Sequence, residues 1–411
     1  PTKWSRIGRT TTGCGYSRTL VCFSARRRPF VTNLARRNPV VWIFPKGRIE
    51  MTQKNRLIPL LSVLILAGLF SFDLGGHESE ADPVQRLVVG SCLKQDKPQP
   101  CWKPIIKYQP DVLILCGDNI YGDSRDVSKL ARDWATLSAQ PDFAKLRKES
   151  TLLATWDDHD YGENDAGREY PVKKESQKVF LDWLGEPEDS PRRNREGVYE
   201  SYMMGPDGQR VQIILLDTRY HRSALTKSGL RRKDVPNWNG PYVPSPDRQQ
   251  QMLGEAQWKW LENQLNQKAD LRIICSSIQF GHEYNGWESW TNLPNEQKKM
   301  AELIRKTKAN GVVFVSGDVH WGEISKRSFD DLYPIYDITA SGITEDWHNV
   351  EPNRYRVKQA FRKNHFGMIE IDWKKEDPKV NMLILNVEGK SVIRHAATLN
   401  QLQLNRNRPT P

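Results

Sequence analysis

Residues 111–121 read DVLILCGDNIY, an unbroken apolar run that ends in a glycine and a polar turn. A short apolar run closed by Gly is the signature of a buried strand. The glycine lets the chain turn sharply, so that Asp118 carries a carboxylate off the end of the strand and Tyr121 can return to the same point. The pattern recurs. RLVV precedes Gly90-Ser91-Cys92, TLLAT precedes WDDHD (Trp156–Asp160), RVQIILL precedes DTRYHR (Asp217–Arg222), and GVVFVS precedes GDVH (Gly317–His320). Open α/β folds collect ligands beyond the carboxyl ends of parallel strands. One edge of one sheet would then hold a thiol, a phenol, several carboxylates and two imidazoles, which is the donor set of a multinuclear metal site.

The intervening sequence supports an α/β class. Strand-like runs at 86–91, 111–116, 151–156, 210–217, 271–278 and 311–316 alternate with helix-like stretches at 129–148, 175–184, 255–268 and 296–309. Such alternation predicts parallel strands with helical crossovers. The end differs: 335–341, 366–373, 379–387 and 391–398 predict β runs and a second, more antiparallel sheet. Connectors at 186–196 and 231–248 read as long surface loops, and 401–411 as a frayed tail.

The net charge of +11 does not predict nucleic-acid binding, because of where it lies. Residues 1–50 carry 11 Lys and Arg against one acid, leaving 50 basic and 49 acidic residues after them. The body is therefore near neutral. Residues 1–50 are expected to be a disordered or mistranslated leader. Met51 opens an ordinary export pattern, with Lys54 and Arg56 before the apolar run Leu57–Phe70, too short for a comfortable span of about 20 residues. Residues 51–81 are thus expected to be a signal peptide or an N-terminal membrane anchor with its linker, and 82–400 one catalytic domain. Of the six cysteines, Cys116 and Cys275 lie inside strand-like runs, where a buried free thiol is expected.

Each candidate residue also has a plainer reading. Asp118 and Tyr121 offer hard oxygen donors suited to trivalent iron, or a helix cap and a packed ring. Asp157 and Asp158, with Asp160, crowd charge around His159 and call for a cation or open solvent, while Asn164 adds an amide oxygen. Asp318 and His320 stand two apart on one face of an extended segment and could reach one metal. Cys92 is either a thiolate ligand or an inert core thiol. Arg219 and Arg222 suit a phosphoryl oxygen, or a surface pair with Asp217. His282 and Glu288, in QFGHEYNGWESW, suit a substrate rim or a packed aromatic loop.

In this order, from GSC, CGDNIYGDSRD, TWDDHDYGENDAG, LLDTRYHR and LGEAQWKWLENQL to SGDVHWGEIS and YDITASGIT, the chain resembles the PhoD-like alkaline phosphatases over about 86–373. These belong to the metallophosphoesterases, with the purple acid phosphatases. The resemblance implies a four-layer αββα sandwich with metals at the strand ends. It implies Fe(III) on Cys92 and Tyr121, Asp118 bridging to a neighbouring ion, and Asp318 and His320 completing the cluster. Asp158 would stand for the usual Asn ligand and His159 for the general acid, with Ca²⁺ in the oxygen-rich remainder and Zn or Mn as other occupants. Larger members carry an extra N-terminal β domain, and the early start of the motifs here leads us to expect a more open pocket. Members commonly use twin-arginine export, yet no Arg pair lies between Met51 and Leu57.

The implied activity is hydrolysis of phosphate monoesters, diesters or both on a small molecule or lipid. Metal-acidified water would attack in line, His159 would protonate the leaving oxygen, and Arg219 would steady the transferring group. The expected setting is periplasmic or extracellular, the expected state a monomer. The alternative is a secreted metal- or phosphate-binding protein of the same fold without turnover.

Overall fold

The structure, a computed structural model, describes residues 82–230 and 240–404. The expectations for the leader and export segment, and for 405–411, lie outside the described residues. The first half runs β1 (Arg86–Gly90), α1 (Trp102–Tyr108), β2 (Val112–Cys116), α2 (Val127–Ser138), α3 (Pro141–Glu149), β3 (Thr151–Thr155), α4 (Asp158–Tyr161), α5 (Lys173–Leu184), β4 (Glu200–Met204) and β5 (Val211–Leu215). It continues with α6 (Gly254–Leu265), β6 (Leu271–Cys275), α7 (Pro294–Lys306), β7 (Val312–Ser316), β8 (Gly322–Arg327) and β9 (Ile335–Ala340). Three long strands close the body: β10 (His365–Asp372), β11 (Lys379–Asn386) and β12 (Ser391–Thr398).

The described strands form two sheets, ordered β12-β11-β10-β1-β2-β3 and β4-β5-β6-β7-β9-β8. Within the first, β1, β2 and β3 are parallel; within the second, β5, β6, β7 and β9 are. The period-2 alternation of strand side chains separates two apolar layers. Leu113 and Leu115 of β2 face outward to Trp102, Trp134, Phe143 and Phe180, on α1, α2, α3 and α5. Val112, Ile114 and Cys116 of the same strand face inward and share a core with the second sheet, which α6 and α7 cover through Leu261, Met300 and Ile304. The result is helix, sheet, sheet, helix: the four-layer αββα arrangement. Both sheets have buried faces, so their central strands are continuous apolar runs.

Three expectations are corrected. The C-terminal runs do not build a sheet of their own: β9 pairs parallel with β7, while β10 pairs antiparallel with β1 and carries β11 and β12. The single helix expected over 129–148 is two, because Pro141 lacks an N–H and opens α3. Residues 401–404 are not a frayed tail, since Leu402 is fully buried and its carbonyl accepts from Gly311 N at 2.7 Å. No helix among the described residues is long and apolar enough to cross a membrane.

Candidate metal centre

The ends of β1, β2, β3 and β7 converge. Gly117 makes the first approach possible. Its φ is +103°, and a Cβ there would sit 2.5 Å from Asp157 Cβ, so the turns after β2 and β3 touch only because this residue has no side chain. The residues that follow are held in unusual conformations. Cys92 (φ 56°), Asp118 (φ 51°), Asp318 (φ 74°) and His320 (φ 65°) all lie at positive φ, a region that non-glycine residues enter rarely and at a cost. These four residues do not share the one edge of one sheet that the sequence suggested. Cys92 and Asp118 follow β1 and β2 of the first sheet, Asp318 and His320 follow β7 of the second, and the facing strand ends of both sheets bring their side chains together at a common point.

That point is rich in donor atoms. Ligand atoms of Cys92, Asp118 and His320 lie within 4.8 Å of one another. So do those of Asp118, Asp158 and His159, and those of Asp118, Asp157, Asp158 and Asp318. Cys92 Sγ is 3.3 Å from Asp118 Oδ2 and 3.0 Å from Ser341 Oγ, and burial pushes the thiol up to about 12. Tyr121 brings its hydroxyl to 3.0 Å from His320 Nε2 and stacks on His159 at 4.2 Å between ring centroids. Burial, with Cys92 and nearby carboxylates, holds the Asp118 carboxyl well above the ordinary range. Asp158 sits below it, because Arg219 and His159 outweigh the upward push of burial. Asp118 Oδ1 and Asp157 Oδ2 are buried without any hydrogen-bond partner. Buried acids with empty lone pairs are costly unless a cation meets them, so the residues fit a metal cluster of mixed sulfur, nitrogen and oxygen donors.

His159 stands at the side of this cluster. Its Nδ1 is 2.7 Å from Asp123 Oδ1. Burial disfavours its charge, but Asp158 and Asp123 outweigh it and raise the imidazole to about 9. His159 lines a pocket of about 150 Å³ with Asp158, Asn164, Asp165, Glu288, Asp318 and His320. Trp287, Trp321 and Trp347 form an indole wall of the same pocket.

Four expected substrate contacts are corrected. The Arg219 guanidinium is fully buried, shared between Asp157 and Glu288 Oε2, the latter at 2.6 Å. Arg222 is equally buried and pairs with Glu288 Oε1 at 2.9 Å. Both are structural cations, since a buried charge must be paired, and Glu288, although it lines the pocket, is their counter-ion. His282 is buried with Nε2 3.3 Å from Glu323 Oε1, away from the pocket. Asn164 is exposed at the pocket lining.

Several placements escaped the sequence reading. Asp160 faces away from the cluster: Asn119 N donates to it at 3.0 Å and Asp157 N at 2.5 Å, bracing the GDN turn against the WDD turn. Ser277 donates to Asp157 at 2.6 Å. Asp165 lies near Asp158 and Glu288 and accepts from Tyr242 at 2.5 Å. Asp123 carried a faint signal, a second Gly-Asp directly after GDNIY.

A family model described as PhoD-like phosphatase matches residues 87–382. The chain belongs to the PhoD-like phosphatase family. Alkaline phosphatase D of Bacillus subtilis (strain 168) is 26% identical over 270 residues, 53% of this chain and 42% of that protein. The chain thus spans less than half the length of this curated relative. A solved structure described as PhoD superposes with a TM-score of 0.59 at 16% identity, over 80% of this chain and 73% of that one. The shared fold of the PhoD-like family is the two-sheet sandwich described above.

Proposed function

We propose that this PhoD-like chain is a metal-dependent phosphoric ester hydrolase acting on monoesters, diesters or both. The observation that carries the reading is the set of buried, unpartnered carboxylate oxygens on Asp118 and Asp157 beside a histidine that holds a proton. Cys92, Tyr121 and His320, a thiolate, a phenolate and an imidazole, would hold Fe(III). Asp118 would lie between the ions, and Asp157, Asp158 and Asp318 form an oxygen-rich end suited to Ca²⁺. Zn or Mn are the other occupants this donor set accepts. Bound cations supply charge neutralisation at the phosphoryl oxygens and an acidified water.

The remaining work falls to side chains. His159, oriented by Asp123 through Nδ1, delivers a proton to the leaving oxygen. The indole wall of Trp287, Trp321 and Trp347 excludes water and receives the alcohol arm of a small-molecule or lipid ester. Arg219 and Arg222 fix Asp157 and Glu288. We further propose an exported protein, periplasmic or extracellular, that works as a monomer.

Metal content, the visible spectrum and turnover of aryl and bis-aryl phosphates on one purified sample test this. Iron with a phenolate-to-Fe(III) band, lost in Tyr121→Phe, and chelator-sensitive turnover are expected. A colourless protein active with zinc or manganese would keep the hydrolase and discard the iron assignment. Metal without turnover on either ester, or Asp118→Ala and His159→Ala variants as fast as the parent, would overturn the hydrolase.

A further inference from the structure

Cys116 ends β2 and Cys275 ends β6, strands that belong to different sheets. Both are completely buried in the layer between the sheets. Their Sγ atoms lie 3.1 Å apart, although the residues are 159 positions apart in the chain. The remaining described cysteines have other surroundings. Cys92 faces the metal cluster, and Cys101 Sγ faces the Ile343 carbonyl at 3.6 Å. All four are free thiols here.

We infer that Cys116 and Cys275 are a disulfide site that staples the two sheets beneath the metal cluster. The sulfurs must close by about 1 Å to reach the bond length of about 2.05 Å, a shift that two strand ends can share. In the step, each sulfur loses its hydrogen and one Sγ–Sγ bond forms. Two protons and two electrons pass to an external disulfide, which becomes two thiols; this acceptor is an oxidised thiol–disulfide oxidoreductase, or oxidised glutathione in vitro. Neither sulfur is open to solvent once the sheets meet. The bond therefore forms while the chain folds, and the folded dithiol resists added oxidant.

The position gives the staple a consequence. Asp118 follows Cys116 by two residues in the first sheet. Ser277 follows Cys275 by two in the second, donating to Asp157 and accepting Gly317 N at 2.9 Å. A covalent tie here fixes the distance between turns that present Asp118, Asp157 and Asp318. The closed loop is long, and long loops lose the most unfolded-state freedom when cross-linked.

The test is to refold the full chain in a glutathione redox buffer and map its peptides without reduction. The expected result is a linked pair of peptides containing Cys116 and Cys275. A urea unfolding midpoint that falls on adding reductant is expected for the parent, with no such response in the Cys116→Ala/Cys275→Ala variant. Free Cys116 and Cys275 after oxidative refolding, or either of them linked to another cysteine, would overturn the inference. The peptide map of the parent decides this even where the double variant fails to fold.

Discussion

Replacing Arg219 with methionine tests the assignment of this residue as a structural cation. The substitution keeps most of the volume and removes the guanidinium. Burial works against the charge, but the carboxylates of Asp157 and Glu288 outweigh it and hold Arg219 firmly protonated. Without it, Asp157 keeps only Ser277 Oγ and the Asp160-braced turn, and Glu288 keeps only Arg222 at 2.9 Å. Stranding a buried partner costs about 3–5 kcal/mol. For about 300 ordered residues at about 2.1 cal/mol/K each, 4 kcal/mol lowers Tm by about 6 °C. Differential scanning calorimetry measures this, and steady-state kinetics on the same sample reports the site. Freed Asp157 should also weaken metal retention, so activity should recover in part with added metal. Arg219→Lys should fall between, because an ammonium cannot reproduce the fork that reaches both acids. A methionine variant that melts within about 1 °C of the parent, loses kcat and gains nothing from added metal would refute the reasoning. It would return Arg219 to direct contact with the transferring group.

Asp123→Asn should lower the His159 imidazole from its raised position near 9. The protonated form is the useful one, so the alkaline limb of the kcat–pH profile should move toward neutrality while the acid limb stays; an unmoved limb would exclude the pairing. Metal removal should make stability pH-dependent. The Asp118 carboxyl is raised by burial, so its contribution is full below the ordinary carboxylate range and is lost as pH rises through the raised value. The Tm of chelated protein should therefore fall with rising pH and that of metal-loaded protein should not; parallel curves would count against the cluster. Trp347→Ala should raise KM for bis-aryl phosphate about 5–10-fold, with little change for a small monoester; equal effects on both would remove the indole wall from recognition.

The strand ends were legible because the signal is local. An apolar run and a polar turn lie within a few positions of each other, and that is enough to put Asp118, Asp158, Asp318 and His320 at strand ends, although the strands belong to two sheets rather than one. The destination of β9 to β12 was not legible, since a buried strand reads alike in either sheet. Long-range pairing was hidden for the same reason. Arg219 meets Asp157 across 62 positions and Glu288 across another loop, and nothing near DTRYHR marks these cations as buried rather than open to a phosphoryl group. Asp160 illustrates the limit within one motif. Asp157 and Asp158 turn into the cluster, while the Asp160 carboxyl accepts backbone N–H groups, a difference set by a single short turn. The break at Pro141 was there to be read.

The cluster is expensive as polypeptide alone. Positive φ at Cys92, Asp118, Asp318 and His320 costs of order 1–3 kcal/mol per residue, and Asp118 and Asp157 add buried oxygens without partners. The surrounding core can carry this, because the strands that lead into the cluster are buried on both faces along nearly their whole length. A charge of opposite sign at the shared point converts the same features from strain into preorganisation. The left-handed turns already aim the donors, and the unpartnered oxygens are the ones a cation would meet. The rigid part of the fold and the strained part are thus one construction: two packed sheets hold the strand ends apart from solvent, and the ends present a site whose remaining partner is not protein.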